Sequence, residues 1–170
     1  MKPTISEITD EWIEEKKPCK GALNWWYKKE RNPIKIIETL IQDKKLDWAN
    51  WFIVKIMEYA DYVAYGVYAA EQVIPIYEKK YPNDKRLRKA IEAAKKCIDN
   101  PSQENKTAAA AAAYAAHAAA YAATSVAAYA AYTAYAAADA AADAATSAAA
   151  AAATDAAMQL NILKYGLKLL

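Results

Sequence analysis

Side chains that could take part in binding or catalysis recur through residues 107–157, where 34 of 51 residues are alanine. The exceptions recur every three or four residues, which is the spacing of one helical face. We call this row the polar stripe, and its members are Tyr114, His117, Tyr121, Thr124, Ser125, Tyr129, Tyr132, Tyr135, Asp139, Asp143 and Thr146. The bare alanine of the other faces favours close packing of neighbouring helices.

Two interpretations of the polar stripe stay open at this point. In one, it is a solvated helix face whose tyrosines cover neighbouring residues. In the other, its rings and carboxylates line a groove for a partner or a ring-bearing ligand, because tyrosine combines a large contact area with a polar tip. His117 is expected either as a packed or surface histidine or as a contact residue in that groove.

Neither catalysis nor metal binding is indicated. Asp139 and Asp143 have the i, i+4 spacing that shared metal ligation needs, but no ExxH motif or second carboxylate pair accompanies them. No nucleophile or phosphate loop accompanies the two acids either. Cys19 and Cys97 lack the spacing of a zinc site. We therefore expect a non-enzymatic protein without a metal or cofactor.

A second candidate surface is basic. Residues 79–96 include eight lysines and arginines. A solvated helix face would explain them, and so would an anionic partner, either an acidic protein surface or a phosphate. Arg86 and Arg88 are better suited than the lysines to bidentate contacts with such a partner.

The elements that position these residues are predicted to be helices throughout. Six prolines and three glycines punctuate 170 residues, and no run alternates as a strand does. We expect an all-α, multi-helix bundle with closely packed alanine-rich helices. A small N-terminal helical cap rich in tryptophan is expected over residues 1–57 and an alanine-rich helical domain over 58–170, together forming one compact unit.

Local signals predict several helix ends. Thr9 or Asp10 begins the first helix, and Asn32 with Pro33 begins the third, whose apolar stripe is predicted as Ile34, Ile37, Leu40 and Ile41. Pro75 is expected to kink or end the helix that contains it. Asn100 is predicted to cap the alanine-rich helix.

Alanine has the highest helix propensity, but a straight helix of fifty residues would extend about 75 Å, which is too long for a compact domain. Breaks are therefore expected at Thr124 with Ser125 and at Thr146 with Ser147. The final segment is predicted to dock onto the N-terminal part as an amphipathic helix.

Charge and hydropathy limit the partners. A net charge of +2 does not indicate general nucleic-acid binding. Residues 108–138 carry no formal charge, but alanine is too weakly apolar to drive membrane insertion. Residues 1–18 lack the apolar core of a signal peptide. These features predict a cytoplasmic protein that binds neither nucleic acid nor membrane, with homo-oligomerisation left open.

A family resemblance rests on the run "YAAEQVIPIYEKKYPNDKRLRKAIEAAKKCI" followed by "AAAAAAYAAHAAAYAA". The chain resembles the immunity proteins of bacterial polymorphic-toxin systems, specifically immunity protein family five and its relatives in phages and bacteria. The matching positions are Ile74 and Pro75, Asp84 and Arg86, residues 90–94, and His117. The resemblance covers roughly residues 62–157 and implies a helical inhibitor that binds and neutralises a toxin.

Three functions follow from these patterns. The first is an immunity or phage counter-defence protein that binds a protein partner, either a toxin or a defence effector. The second is a sponge that sequesters a small signalling molecule such as a nucleotide, with tyrosines stacked on the base. The third is a purely structural alanine-rich protein, although the threonines show no constant interval.

Overall fold

The computed structural model describes residues 7–26, 31–109 and 156–170, and these residues form helices and turns without a strand. The predicted all-α fold is confirmed. The polar stripe and both expected breaks lie outside the described residues. The helices bounded within these ranges are α1 (Asp10–Glu15), α2 (Lys20–Trp26), α3 (Pro33–Gln42), α4 (Leu46–Ile56), α5 (Tyr59–Lys80), α6 (Arg86–Asp99) and the C-terminal helix (Ala156–Leu169).

Helix α1 begins as the sequence predicts, because the Thr9 side chain accepts a hydrogen bond of 3.1 Å from the Trp12 backbone N–H. Asp10 then connects α1 to the last residue of α2 and to Arg31, which precedes α3. Its carboxylate accepts hydrogen bonds from Arg31 and from the Trp26 indole at 2.8 Å. The Arg31 guanidinium lies 4.8 Å from the centroid of the Trp26 ring. The hydrogen bonds from Arg31 and Trp26 hold the pKa of Asp10 below its usual range.

Helix α3 also begins where predicted. The Asn32 side chain accepts a hydrogen bond from the Lys35 backbone N–H at 3.1 Å, and Pro33 occupies the first turn. The predicted apolar stripe is wrong at Ile34, which is 38% exposed, whereas Ile36 is buried. Ile34 lies about 110° around the helix from the centre of the face that packs against α4.

Helix α5 runs through Pro75 to Lys80, so the prediction that this proline could end the helix is wrong. Proline removes one backbone N–H and deprives the carbonyl of Glu71 of its donor. Pro75 is exposed, and the freed carbonyl can bond to water there. The uninterrupted α5 packs along α6, forming the most extensive helix pair among the described residues.

The C-terminal helix packs against α4 and α5, as expected from the sequence. The Gln159 side-chain amide donates a hydrogen bond of 2.8 Å to the carboxylate of Asp47. Near the other end, a Cβ atom added to Gly166 would lie 2.6 Å from the Tyr65 ring and 2.7 Å from the Ile53 methyl group. A glycine therefore permits the closest approach of this helix to its neighbours.

The apolar core is continuous across these contacts. Its buried members run from Ile8 and Ile13 near α1 to Ile162 and Leu163 in the C-terminal helix. Half-buried tryptophans of α1, α2 and α4 pack around it. The cap and the helices after it therefore share one core.

Residues 103–109 are helical at the end of the second described range. Their cap is Ser102, whose hydroxyl accepts a hydrogen bond of 3.2 Å from the Asn105 backbone N–H. The prediction that Asn100 caps this helix is wrong by two residues. Asn100 instead offers its backbone carbonyl to the Asn105 side chain at 2.8 Å.

Candidate binding surface

Helix α6 positions the two arginines that the sequence singles out. Its apolar positions lie on one face, and the residues Leu87, Ala90, Ile91, Ala94 and Cys97 are all buried. This burial against α5 directs the remaining positions outward. Arg86 is exposed and Arg88 is half-buried, on opposite flanks of the helix. The structure therefore does not bring the two guanidinium groups together at one point.

Arg86 is held by Asp84, two residues before it in the turn. The guanidinium donates through Nε at 3.0 and 3.2 Å and through Nη2 at 2.7 Å to the carboxylate oxygens of Asp84. Asp84 also accepts the Arg86 backbone N–H at 3.0 Å. The Asp-x-Arg motif thus forms a local ion pair that fixes the start of α6.

Arg88 forms a second bidentate pair, which joins α6 to the end of α5. Its Nε and Nη2 atoms donate to the two carboxylate oxygens of Glu78 at 3.1 and 2.6 Å. The hydrogen bond from Arg88 holds the pKa of Glu78 below its usual range, and the Glu78 carboxylate raises the pKa of Arg88. Both arginines are therefore engaged within the chain, which sequence reasoning did not foresee.

The lysines beside them differ in this respect. Lys85 and Lys89 are exposed and form no ion pair within the described residues. They line an open concavity of about 590 Å³ together with Asn83, Asp84 and Arg86. We call this feature the α6 concavity. It combines two unpaired ammonium groups with one guanidinium that a carboxylate holds in place.

A second groove, of about 300 Å³, lies between α5, α6 and the C-terminal helix. The rings of Tyr68 and Tyr165 stack in it, with centroids 4.0 Å apart and planes inclined by 12°. Lys95 forms an ion pair of 2.6 Å with Glu71 at the same groove. Sequence reasoning missed this pair, because no local pattern connects two tyrosines that are 97 positions apart.

Buried polar groups in the core have structural partners. The Tyr65 hydroxyl donates a hydrogen bond of 2.5 Å to the side-chain oxygen of Asn50, and both residues are fully buried. Burial raises the pKa of the Tyr65 hydroxyl and that of the Cys97 thiol. Both shifts favour the neutral form, so neither group is activated as a nucleophile.

The described residues offer neither a cluster of metal ligands nor a membrane-spanning helix. Across residues 7–26, 31–109 and 156–170, no three His, Cys, Asp or Glu side chains are grouped as metal ligands would be. No helix within that part of the chain has the length and apolar character to cross a bilayer. The predicted contacts Tyr114, His117, Tyr121, Tyr129, Tyr132, Asp139 and Asp143 all lie outside the described residues.

The fold and surface define an all-α protein with an exposed cationic helix face. The model of the family described as "Imm-5 like putative immunity protein" matches residues 54–161. This match covers more than half of the chain, and the chain therefore belongs to that family. The resemblance found in the sequence is confirmed. No curated protein and no solved structure matches the chain.

Proposed function

We propose that this chain is an immunity protein that neutralises a toxin by binding it, without catalysis, in the cytoplasm of the cell that makes it. The family match over residues 54–161 carries this proposal. It includes the start of α6 and the turn before it, and these residues line the α6 concavity.

The surface of α6 supports a binding role. Five apolar positions anchor one side of the helix in the core, so the opposite side is presented on a fixed backbone. A preorganised surface loses less conformational freedom on association than a flexible one. We propose that the toxin binds the surface that carries Arg86 and Arg88 together with the polar stripe, which follows α6 in the chain.

Co-expression tests this function. The proteins encoded by the genes adjacent to that of this chain are expressed with and without the chain, and a neighbour that stops growth when expressed alone is taken as the toxin domain. We expect the chain to restore growth and to co-purify with that toxin domain in a fixed ratio. Mass spectrometry of heat-released small molecules accompanies the purification. A stoichiometric nucleotide, with no effect of the chain on the toxin, would contradict the immunity function and favour the sponge.

A further inference from the structure

The α6 concavity contains two kinds of cation with different availability. Arg86 already makes three side-chain hydrogen bonds to Asp84, and Arg88 makes two to Glu78. A carboxylate of a partner protein could bind either guanidinium only by sharing it with Asp84 or Glu78, or by displacing that residue. The arginines therefore serve first to fix the shape of the turn and of the α5–α6 pair.

Lys85 and Lys89 form no bidentate pair of this kind, although the charge of Lys85 also helps to lower the pKa of Glu78. Lys85 is the N-cap residue of α6, Lys89 lies one turn later, and both are exposed at the α6 concavity. Neither forms an ion pair within the described ranges. An external carboxylate can bind them without breaking any internal pair.

The surrounding charges favour a protein surface over a nucleic acid. Glu92 and Asp99 are exposed on the same side of α6, and Asp84 lies in the concavity itself. A continuous row of phosphates would meet these carboxylates, whereas separate aspartates or glutamates can sit beside the lysines and avoid them. The net charge of +2 is also small for a nucleic-acid surface.

We propose that the α6 concavity is the docking site for an acidic patch on the toxin, with Lys85 and Lys89 as the cations that bind its carboxylates and Arg86 and Arg88 as positioning residues. This inference rests on the proposed function and specifies the chemistry of the partner. Charge complementarity of this kind mainly speeds association and selects the partner.

The experiment measures the affinity and the association rate of the purified toxin domain for the full chain. The variant carries Lys85→Glu and Lys89→Glu. Both positions lie at the start of α6, where a carboxylate interacts favourably with the helix dipole, so the fold is preserved. We expect a loss of affinity of about 100-fold at low salt, because like charges across an interface cost several kcal/mol. The difference from wild type should shrink at high salt as screening increases.

The matched control reverses two other exposed lysines, Lys20→Glu and Lys164→Glu, which changes the net charge equally at positions that do not line the α6 concavity. We expect this control to retain wild-type affinity within about threefold. An equal loss in both variants would show a nonspecific charge effect and would overturn the docking site.

Three further outcomes separate the proposals. Toxin binding that the Lys85→Glu and Lys89→Glu variant leaves unchanged would remove the docking site but keep the immunity function. A wild-type chain that does not bind the toxin domain would remove both. A DNA duplex that the wild type binds as tightly as the toxin, and the variant does not, would replace the acidic protein surface with a nucleic acid.

Discussion

Gly166→Ala is the most direct test of how closely the C-terminal helix packs against α4 and α5. The added Cβ would lie 2.6 Å from the Tyr65 ring and 2.7 Å from the Ile53 methyl group. Tyr65 and Ile53 are both buried to within 1% of their surface. Neither group can turn towards solvent, so the helix or both neighbours must move.

Two opposing effects determine the size of the change in stability. Alanine is favoured over glycine in a helix interior by about 1 kcal/mol. Overpacking of a dense core costs about 1–3 kcal/mol, and contact with two immobile groups places this site at the upper end. We expect a net loss of about 2 kcal/mol in the free energy of unfolding. For a chain of this size, that loss lowers Tm by about 4–8 °C.

Gly21→Ala is the matched control for this change. Its added Cβ would lie 3.5 Å from the Trp48 ring, an ordinary van der Waals distance, within α2. We expect this variant to be neutral or to gain up to about 1 kcal/mol from propensity. Thermal unfolding followed by circular dichroism measures both. A Gly166→Ala variant as stable as Gly21→Ala would refute the close approach of the C-terminal helix.

The remaining predictions concern the buried pair, the ion pair and the core of the cap. Tyr65→Phe removes the hydroxyl that donates to buried Asn50, and we expect urea denaturation to show a loss of about 1–3 kcal/mol; an unchanged midpoint would mean that this bond adds nothing. The hydrogen bond from Arg88 lowers the pKa of Glu78, so the pair stabilises the fold above the usual glutamate pKa of 4.5 and this stability is lost as the pH falls through the lower, folded-state pKa. Glu78→Gln should therefore weaken the acid dependence of Tm, and a curve parallel to wild type would contradict the role of the pair. Ile37→Ala should lower the free energy of unfolding by about 2–5 kcal/mol and should shift a single unfolding transition that involves the whole chain. All five tryptophans precede residue 52, so fluorescence follows the cap while circular dichroism follows every helix; separate midpoints would show that the cap unfolds alone.

Much of the fold is predictable because it depends on local signals. Thr9 and Asn32 cap helices as their side chains dictate, and the spacing of apolar residues in α6 marks its buried face. The error at Ile34 occurs where tertiary packing decides the outcome, whereas the assignment of the cap to Asn100 instead of Ser102 is a local error. Ile34 is exposed because the position of α4 selects the face of α3 that is buried. Of the two outcomes expected at Pro75, a kink or an end of the helix, the end is excluded because α5 continues to Lys80.

The candidate surface is only partly predictable. The basic character of α6 is visible in the sequence, and Arg86 and Arg88 stand out because of their side-chain chemistry. Their internal ion pairs are not fully visible in the sequence, because Arg88 pairs with Glu78, which lies ten residues earlier on another helix. The Arg86 pair is local, and the Asp-x-Arg spacing could have indicated it. That Lys85 can bind an external carboxylate is evident only once these internal pairs are known, so it could not be predicted from the sequence.

The measurement that tests the central claim most directly is the affinity of the purified chain for the toxin domain identified by co-expression, paired with toxin activity in the same titration. The account predicts a saturable complex of fixed ratio and a loss of toxin activity that follows complex formation. A toxin that remains fully active in excess chain, with no complex detected, would contradict the account.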